Sequence, residues 1–200
     1  MGRKALDKTR RPLSEKAKIG MRNLLPKLQD KQLNKLTLDQ IALLLGRSKS
    51  TIYTYFNSKE EIYLTVIQMV LTDLKESIYP EIPKDDSMEE LYREILLKIS
   101  KGISGLSIQF LGEIQTHFPK VWMEVEQFTD QLLLTFRAIY KRGMQSGEFQ
   151  FFNVELLMAM DSHFVMSIMT DSKRFKHNGI TLNHLVVEYL ELRIKALKSR

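Results

Sequence analysis

Between Ser48 and Phe56 the chain reads Ser-Lys-Ser-Thr-Ile-Tyr-Thr-Tyr-Phe, a run made mostly of short hydroxyls, phenols and one amine. Such groups suit hydrogen bonding to base edges and phosphate oxygens: short hydroxyls and a lysine at a helix start reach a groove, and tyrosine hydroxyls reach the flanking backbone. Ile52 and Phe56 stand four apart, so a helix places both on one buried face and leaves Lys49, Ser50, Thr51, Tyr53, Thr54 and Tyr55 on the rest. A small helical hairpin whose tyrosines only pack has the same pattern. Covalent and metal chemistry find less support. The chain has no cysteine, hence no disulfide, thiolate zinc site or cysteine nucleophile. His117, His163, His177 and His184 show no metal-ligand spacing, and there is no glycine-rich phosphate loop or Gly-x-Ser-x-Gly elbow. No enzyme, metal or cofactor is expected.

The elements that would position this run are marked by caps. Thr37 and Gln40 form a capping box, with Leu36 and Ile41 at the staple positions. Gly46 stands where a left-handed residue ends a helix, and Ser48 is a second N-cap two residues later. Helices are therefore predicted over 38–45 and 49–55, joined by Gly46-Arg47-Ser48, which is helix-turn-helix spacing. Ser58-Lys59-Glu60-Glu61 starts the next helix.

Elsewhere apolar residues recur at three- and four-residue steps, and the whole chain reads as all-α. Further helices are predicted from Leu13 or Ser14 to Gln29, interrupted or kinked at Pro26, and over 59–78, 88–104, 106–117, 119–146, 153–171 and 182–198. Residues 1–12 read as a flexible basic arm and 13–58 as the helix-turn-helix unit. Residues 59–78 read as a connecting helix and 79–200 as a helical bundle. Residues 1–59 hold fourteen Lys and Arg against four acids, net +10, and the remainder holds sixteen against twenty, net −4. A basic head on an acidic body fits a polyanion at the head alone. No apolar run approaches the roughly 17 to 25 residues that span a bilayer. No secretory signal is apparent, so a cytoplasmic location is expected.

Thr37 to Ala42, Gly46, Ser48, Ile52-Tyr53, Tyr55-Phe56 and Ser58-Lys59-Glu60 resemble, in spacing and without a gap, the signature of the TetR family of bacterial transcriptional regulators. Three departures are Arg47 in place of a small aliphatic residue, Pro26 late in the first helix, and the lack of a glycine near Leu33. The resemblance implies a sequence-specific DNA-binding regulator, a repressor released by a small, largely apolar effector. Lys49 and Thr51 would approach base edges with Ser50 close by, beside Arg47 and Ser48. Tyr53, Thr54 and Tyr55 would lie along phosphates. Thr37 would offer its amide and hydroxyl to a phosphate at a helix N-terminus, and Lys59 would do likewise at the next. The arm, Arg3 to Arg11, would reach an adjacent minor groove or merely be attracted to DNA in general.

In the body the resemblance implies a small-molecule pocket among the middle helices. Its candidate walls are Phe110, Phe118, Trp122, Phe136 and Tyr140, with Glu113 and His117 (four apart, after Gln109) as a polar face; an aromatic set at helical spacing is equally plain core. The last two helices would pair with those of a second copy. Leu157, Met160, Phe164 and Ile168 on one, and Val186, Tyr189 and Leu190 on the other, are the candidate contacts, although stripes this wide also serve an internal core. A homodimer would read a palindromic operator in double-stranded DNA. A second reading, from a different class, uses the same charge asymmetry: a helical protein-interaction or ligand-carrier module whose basic head docks an acidic partner.

Overall fold

The computed structural model describes residues 11–78, 87–170 and 180–198; nearly all of the arm, the 79–86 loop and His177 lie outside them. The described residues form nine helices. They are α1 (Glu15–Leu28), α2 (Leu38–Leu45), α3 (Lys49–Tyr55), α4 (Lys59–Ile78), α5 (Met88–Gly102), α6 (Ile108–His117), α7 (Pro119–Gln145), α8 (Val154–Thr170) and α9 (Leu182–Leu197). Among them there is no strand, only an isolated bridge between Phe149 and Lys198. The fold is all-α, as the sequence predicts, and α2, α3 and α4 begin and end where the caps place them.

Helix α4 is the spine. It packs against three neighbours, α1, α5 and α7. Helices α6 and α8 close over α7, and α9 lies along α5. One apolar cluster runs through the molecule from Leu24, Leu28 and Leu33 to Leu190 and Ile194. Burial of this kind, at about 25 cal/mol per Å² of apolar surface, dominates the stability.

Helix α1 corrects one expectation. It does not stop at Pro26 but runs on to Leu28. Proline removes only the bond to the Arg22 carbonyl, while Leu24 and Leu28, both fully buried, hold the last turn against the core. The missing glycine near Leu33 has a simple account too. Two ordinary turns, Lys31 N–H to the Leu28 carbonyl and Lys35 N–H to the Gln32 carbonyl, carry the chain into α2, and no non-glycine residue described has a positive φ.

The start of α5 shows a cap supplied from afar. Ser87 Oγ accepts from Glu90 N–H at 3.3 Å, but the carboxylate that completes the cap is Glu148, which follows α7. Its Oε1 accepts from Met88 N–H (2.9 Å), and its Oε2 from Glu89 N–H and the Ser87 hydroxyl (2.8 Å each). Burial pushes the Glu148 carboxyl up, but these amides and the hydroxyl outweigh it, so its pKa falls below the ordinary value. A depressed carboxylate stabilises the fold above its unfolded pKa of about 4.3 and loses that contribution as pH falls through the folded value. Glu148→Gln is expected to lower the melting temperature at pH 7 by about 2–4 °C, for a cap worth ~1 kcal/mol. The same melts at pH 3 should show a smaller gap between variant and parent.

Candidate functional site

Helix α2 is capped as the sequence requires: Gln40 N–H donates to Thr37 Oγ1 (3.2 Å), and Thr37 N–H donates to Gln40 Oε1 (2.9 Å). Gly46 sits at φ 63°, and its N–H and that of Arg47 close on the carbonyls of Leu43 and Ala42. A side chain with a Cβ is strained in that conformation, so glycine fixes the tight exit from α2. Ser48 Oγ then accepts from Thr51 N–H at 3.2 Å and contacts the Ser50 and Thr51 hydroxyls at 3.0 and 2.8 Å.

The consequence is a two-faced α3. Ile52 and Phe56 are 3% and 4% exposed, fixed against Ile41 and Ala42 and the core beyond. Arg47, Ser48, Lys49, Ser50, Thr51 and Tyr53 are exposed, and Thr54 and Tyr55 are half-buried. Thr54 donates to the Ser50 carbonyl at 3.0 Å, so its hydroxyl serves its own helix. Lys49 Nζ bonds Asp39 Oδ2 on α2 at 2.8 Å and stands 5.9 Å from the Tyr53 ring centre. The hydrogen bond and charge of Asp39 raise the Lys49 pKa, so its ammonium is secure at neutral pH. The acidic partner comes from the helix beside it, a pairing that sequence reasoning missed.

Lys59 is placed differently from its expected phosphate role. Its Nζ donates to the carbonyls of Leu33 (3.2 Å), Asn34 and Leu36 (3.0 Å), and lies 5.7 Å from the Phe118 ring centre. Burial lowers its pKa. Tyr63, fully buried, adds a hydrogen bond to the Leu33 carbonyl. The amine therefore ties the α1–α2 turn to α4. Lys59→Met is expected to cost about 1–3 kcal/mol in denaturant unfolding, since three carbonyls lose their donor. It should leave the slope of log affinity for DNA against log salt unchanged, whereas losing a phosphate contact reduces that slope by about one.

Two further polar links tie this head to the rest of the molecule. Arg22 on α1 pairs with Asp73 on α4 through both guanidinium arms, one at 2.9 Å. Ser107, the N-cap of α6, donates its N–H to Gln29 Oε1 (2.6 Å) and its hydroxyl to the Gln29 carbonyl (2.8 Å).

Inside the body a cavity of about 150 Å³ is lined by α4, α5, α6, α7, α8 and α9 and the segment before α6. Of the expected pocket residues it brings in Phe136 alone. The others lie elsewhere: Phe118 packs edge-on against Tyr63, Trp122 Nε1 bonds Glu126, Phe110 is core, and His117 is exposed. Glu113 holds one buried carboxylate oxygen that makes no hydrogen bond. Tyr140 turns to the cluster described next. Four residues expected at a subunit contact, Phe164, Ile168, Val186 and Tyr189, instead line the cavity. The Phe164 and Tyr189 rings stack at 4.1 Å, and Ile168 and Leu190 are buried within the protomer. Met160 is exposed and Leu157 half-buried. The apolar side chains most open on this side are Phe151 (93% exposed) and Leu156, Met160 and Leu192.

Asp161, which lines the cavity, belongs to a buried ionic cluster. Asp161 on α8, 2% exposed, pairs with Arg193 on α9 and accepts hydrogen bonds from Tyr140 (2.6 Å) and Tyr189. Arg193 Nε donates to the Tyr189 oxygen at 2.8 Å. Burial raises the pKa of Tyr92, Tyr140 and Tyr189, so all three stay protonated donors. The tyrosines are visible in the sequence as core aromatics; the single Asp in the apolar run Met158 to Met166 was the available signal for the charge. No group of acidic or histidine residues suited to a metal occurs among the described residues, and no helix there is long and apolar enough to cross a membrane.

Comparison with known proteins places this geometry. Residues 28–66, from the end of α1 into α4, match the family model for bacterial regulatory proteins of the tetR family. An uncharacterized HTH-type transcriptional regulator of Bacillus subtilis (strain 168), YvaF, is 22% identical over 147 residues, which is 72% of this chain and 77% of YvaF. Among solved structures, a TetR-family transcriptional regulator from Marinobacter aquaeolei VT8 superposes with a TM-score of 0.72 at 20% identity, covering 93% of this chain and 92% of that one. FadR from Bacillus subtilis, in complex with stearoyl-CoA, gives 0.67 at 19%, covering 90% and 98%. The helix-turn-helix segment of this chain is thus similar in sequence to that of the tetR family, and its all-α fold is shared along nearly its whole length with a TetR-family regulator of known structure.

Proposed function

We propose that the chain is a homodimeric repressor that reads a palindromic operator through α3 and lets go when a small apolar molecule fills the body cavity. Residues 13–58 form the reading head, α4 transmits, and the remainder binds effector and partner. The observation that carries the reading is α3 itself: Ile52 and Phe56 anchor it while Lys49, Ser50 and Thr51 face outward from a glycine-fixed turn. Such a helix matches the dimensions of the major groove.

One recognition helix touches few bases, so useful specificity needs two. Leu156 and Met160 lie one turn apart on α8, and with Leu192 on α9 and Phe151 they form exposed apolar surface of the kind that subunit contacts cover. Effector control is supported by what the cavity touches. Ile67, Val70, Leu71 and Leu74 of α4 line it, and α4 carries Tyr63 and Asp73, which hold the reading head. A ligand that wedges α4 outward alters the separation of the two α3 helices. A coupling of about 1–3 kcal/mol then weakens DNA binding roughly 5- to 150-fold. FadR was solved with stearoyl-CoA; a cavity of about 150 Å³ is ring-sized and takes something more compact than a long acyl chain. The site of action is the cytoplasm, where the operator is.

Sedimentation velocity combined with footprinting tests this. The expected result is a dimer protecting two half-sites about 34 Å apart, centre to centre. A monomer bound to a single half-site contradicts the reading.

A further inference from the structure

The cavity has one chemically distinct wall, and it defines the ligand. Of the described residues around it only Thr129, Asp161 and Tyr189 carry polar side-chain atoms. The Thr129 hydroxyl donates to the Val125 carbonyl of its own helix at 2.9 Å. The Tyr189 hydroxyl donates to Asp161 and accepts from Arg193 Nε. Asp161 is the remaining group, and its acceptor capacity can be counted. A carboxylate offers about four acceptor positions, two on each oxygen. Oδ1 accepts from Tyr189 and from Arg193. Among the described residues Oδ2 accepts from Tyr140 alone, at 2.6 Å, and the Tyr140 and Tyr92 hydroxyls meet at 3.2 Å. Among the described residues this leaves one acceptor position on Oδ2.

We propose that the cavity takes a compact apolar molecule bearing one hydroxyl, of which phenol is the simplest, and that this hydroxyl donates to Oδ2 of Asp161. The inference rests on the cavity being the effector site. Size limits the body of the ligand: an apolar cavity of about 150 Å³ accommodates a single benzene ring. Charge limits the head. The Arg193 guanidinium already neutralises Asp161, so a ligand carboxylate brings an unmatched negative charge beside a buried carboxylate, whereas a neutral donor completes it. An ether oxygen, which only accepts, has no partner there.

Isothermal titration calorimetry of the full chain with phenol, toluene, anisole and benzoate separates these possibilities. Phenol is expected to bind at least tenfold more tightly than toluene or anisole, with no measurable binding of benzoate. Equal affinity for phenol and toluene overturns the hydroxyl's role while leaving an apolar effector cavity in place. Binding of benzoate as tight as that of phenol overturns the charge argument, and failure of all four ligands overturns the proposal outright. Position is checked with 4-bromophenol, whose anomalous bromine signal is expected between α4, α7 and α8; a peak elsewhere overturns the assignment. Operator binding in the absence of ligand is measured alongside, so a chain that binds DNA but no phenol refutes this inference without touching the reading of α3.

Discussion

Asp161→Ala is expected to destabilise the protein by about 3–5 kcal/mol, the largest effect of any single polar substitution in the body. Arg193 and Asp161 are both deeply buried, and removal of the carboxylate leaves a guanidinium in a low-dielectric interior with only a tyrosine oxygen to satisfy it. Tyr140 and Tyr189 lose their acceptor at the same time. At about 2–4 °C per kcal/mol for a chain of this size, the melting temperature should fall by roughly 6–20 °C. The asymmetry between breaking and replacing the pair supplies a control. Asp161→Leu combined with Arg193→Met removes both charges and is expected to recover much of the loss, because apolar substitutes of similar volume often match a buried ion pair. Thermal and denaturant unfolding check both. A single variant as stable as the parent would mean that the cluster is hydrated and its ionic character unimportant.

The second large effect concerns DNA. Lys49→Ala is expected to weaken operator binding by about 1–3 kcal/mol, roughly five- to 150-fold, and to relax the preference for operator over unrelated sequence. Asp39→Asn should act in the opposite direction. In the absence of DNA the Lys49 amine rests on Asp39 at 2.8 Å, and that carboxylate stays close to where phosphates and base edges arrive. Removing its charge releases the lysine and eliminates a repulsion, so affinity should rise several-fold, more for non-operator DNA than for operator. Because the pair is exposed, protein stability should scarcely change. Anisotropy titrations of the two variants and their combination form a cycle in which the Asp39 effect shrinks once Lys49 is gone. Equal Asp39→Asn effects with and without Lys49 would show that the pair has no part in binding.

The reading head was legible because its determinants are local. Thr37, Gln40, Gly46 and Ser48 act on backbone groups within three or four residues, so their spacing alone fixes where α2 ends and α3 begins. Lys59 was misjudged for the opposite reason. Its partners, the carbonyls of Leu33, Asn34 and Leu36, lie 23 to 26 residues back, and a lysine at a helix start looks the same in sequence whether it faces solvent or a turn. The cavity was the least legible feature. Ile67, Phe136, Phe164 and Val186 come from four helices, and periodicity cannot distinguish a stripe facing an internal void from one facing a second subunit. Hence Phe164, Ile168, Val186 and Tyr189 turn inward, while Leu156 and Leu192 are left outside. Capping by Glu148 was likewise invisible, since it joins residues 59 to 61 apart.

The central claim is that α3 is an exposed, sequence-reading helix. Fluorescence anisotropy of the full chain tests it most directly, with a DNA fragment recovered by selection and a scrambled fragment of equal length, each titrated at about 50 and 200 mM salt. The expected result is a preference of roughly a thousandfold or more for the selected fragment, with affinity falling steeply as salt rises. Equal binding to both fragments, with affinity indifferent to salt, would contradict it.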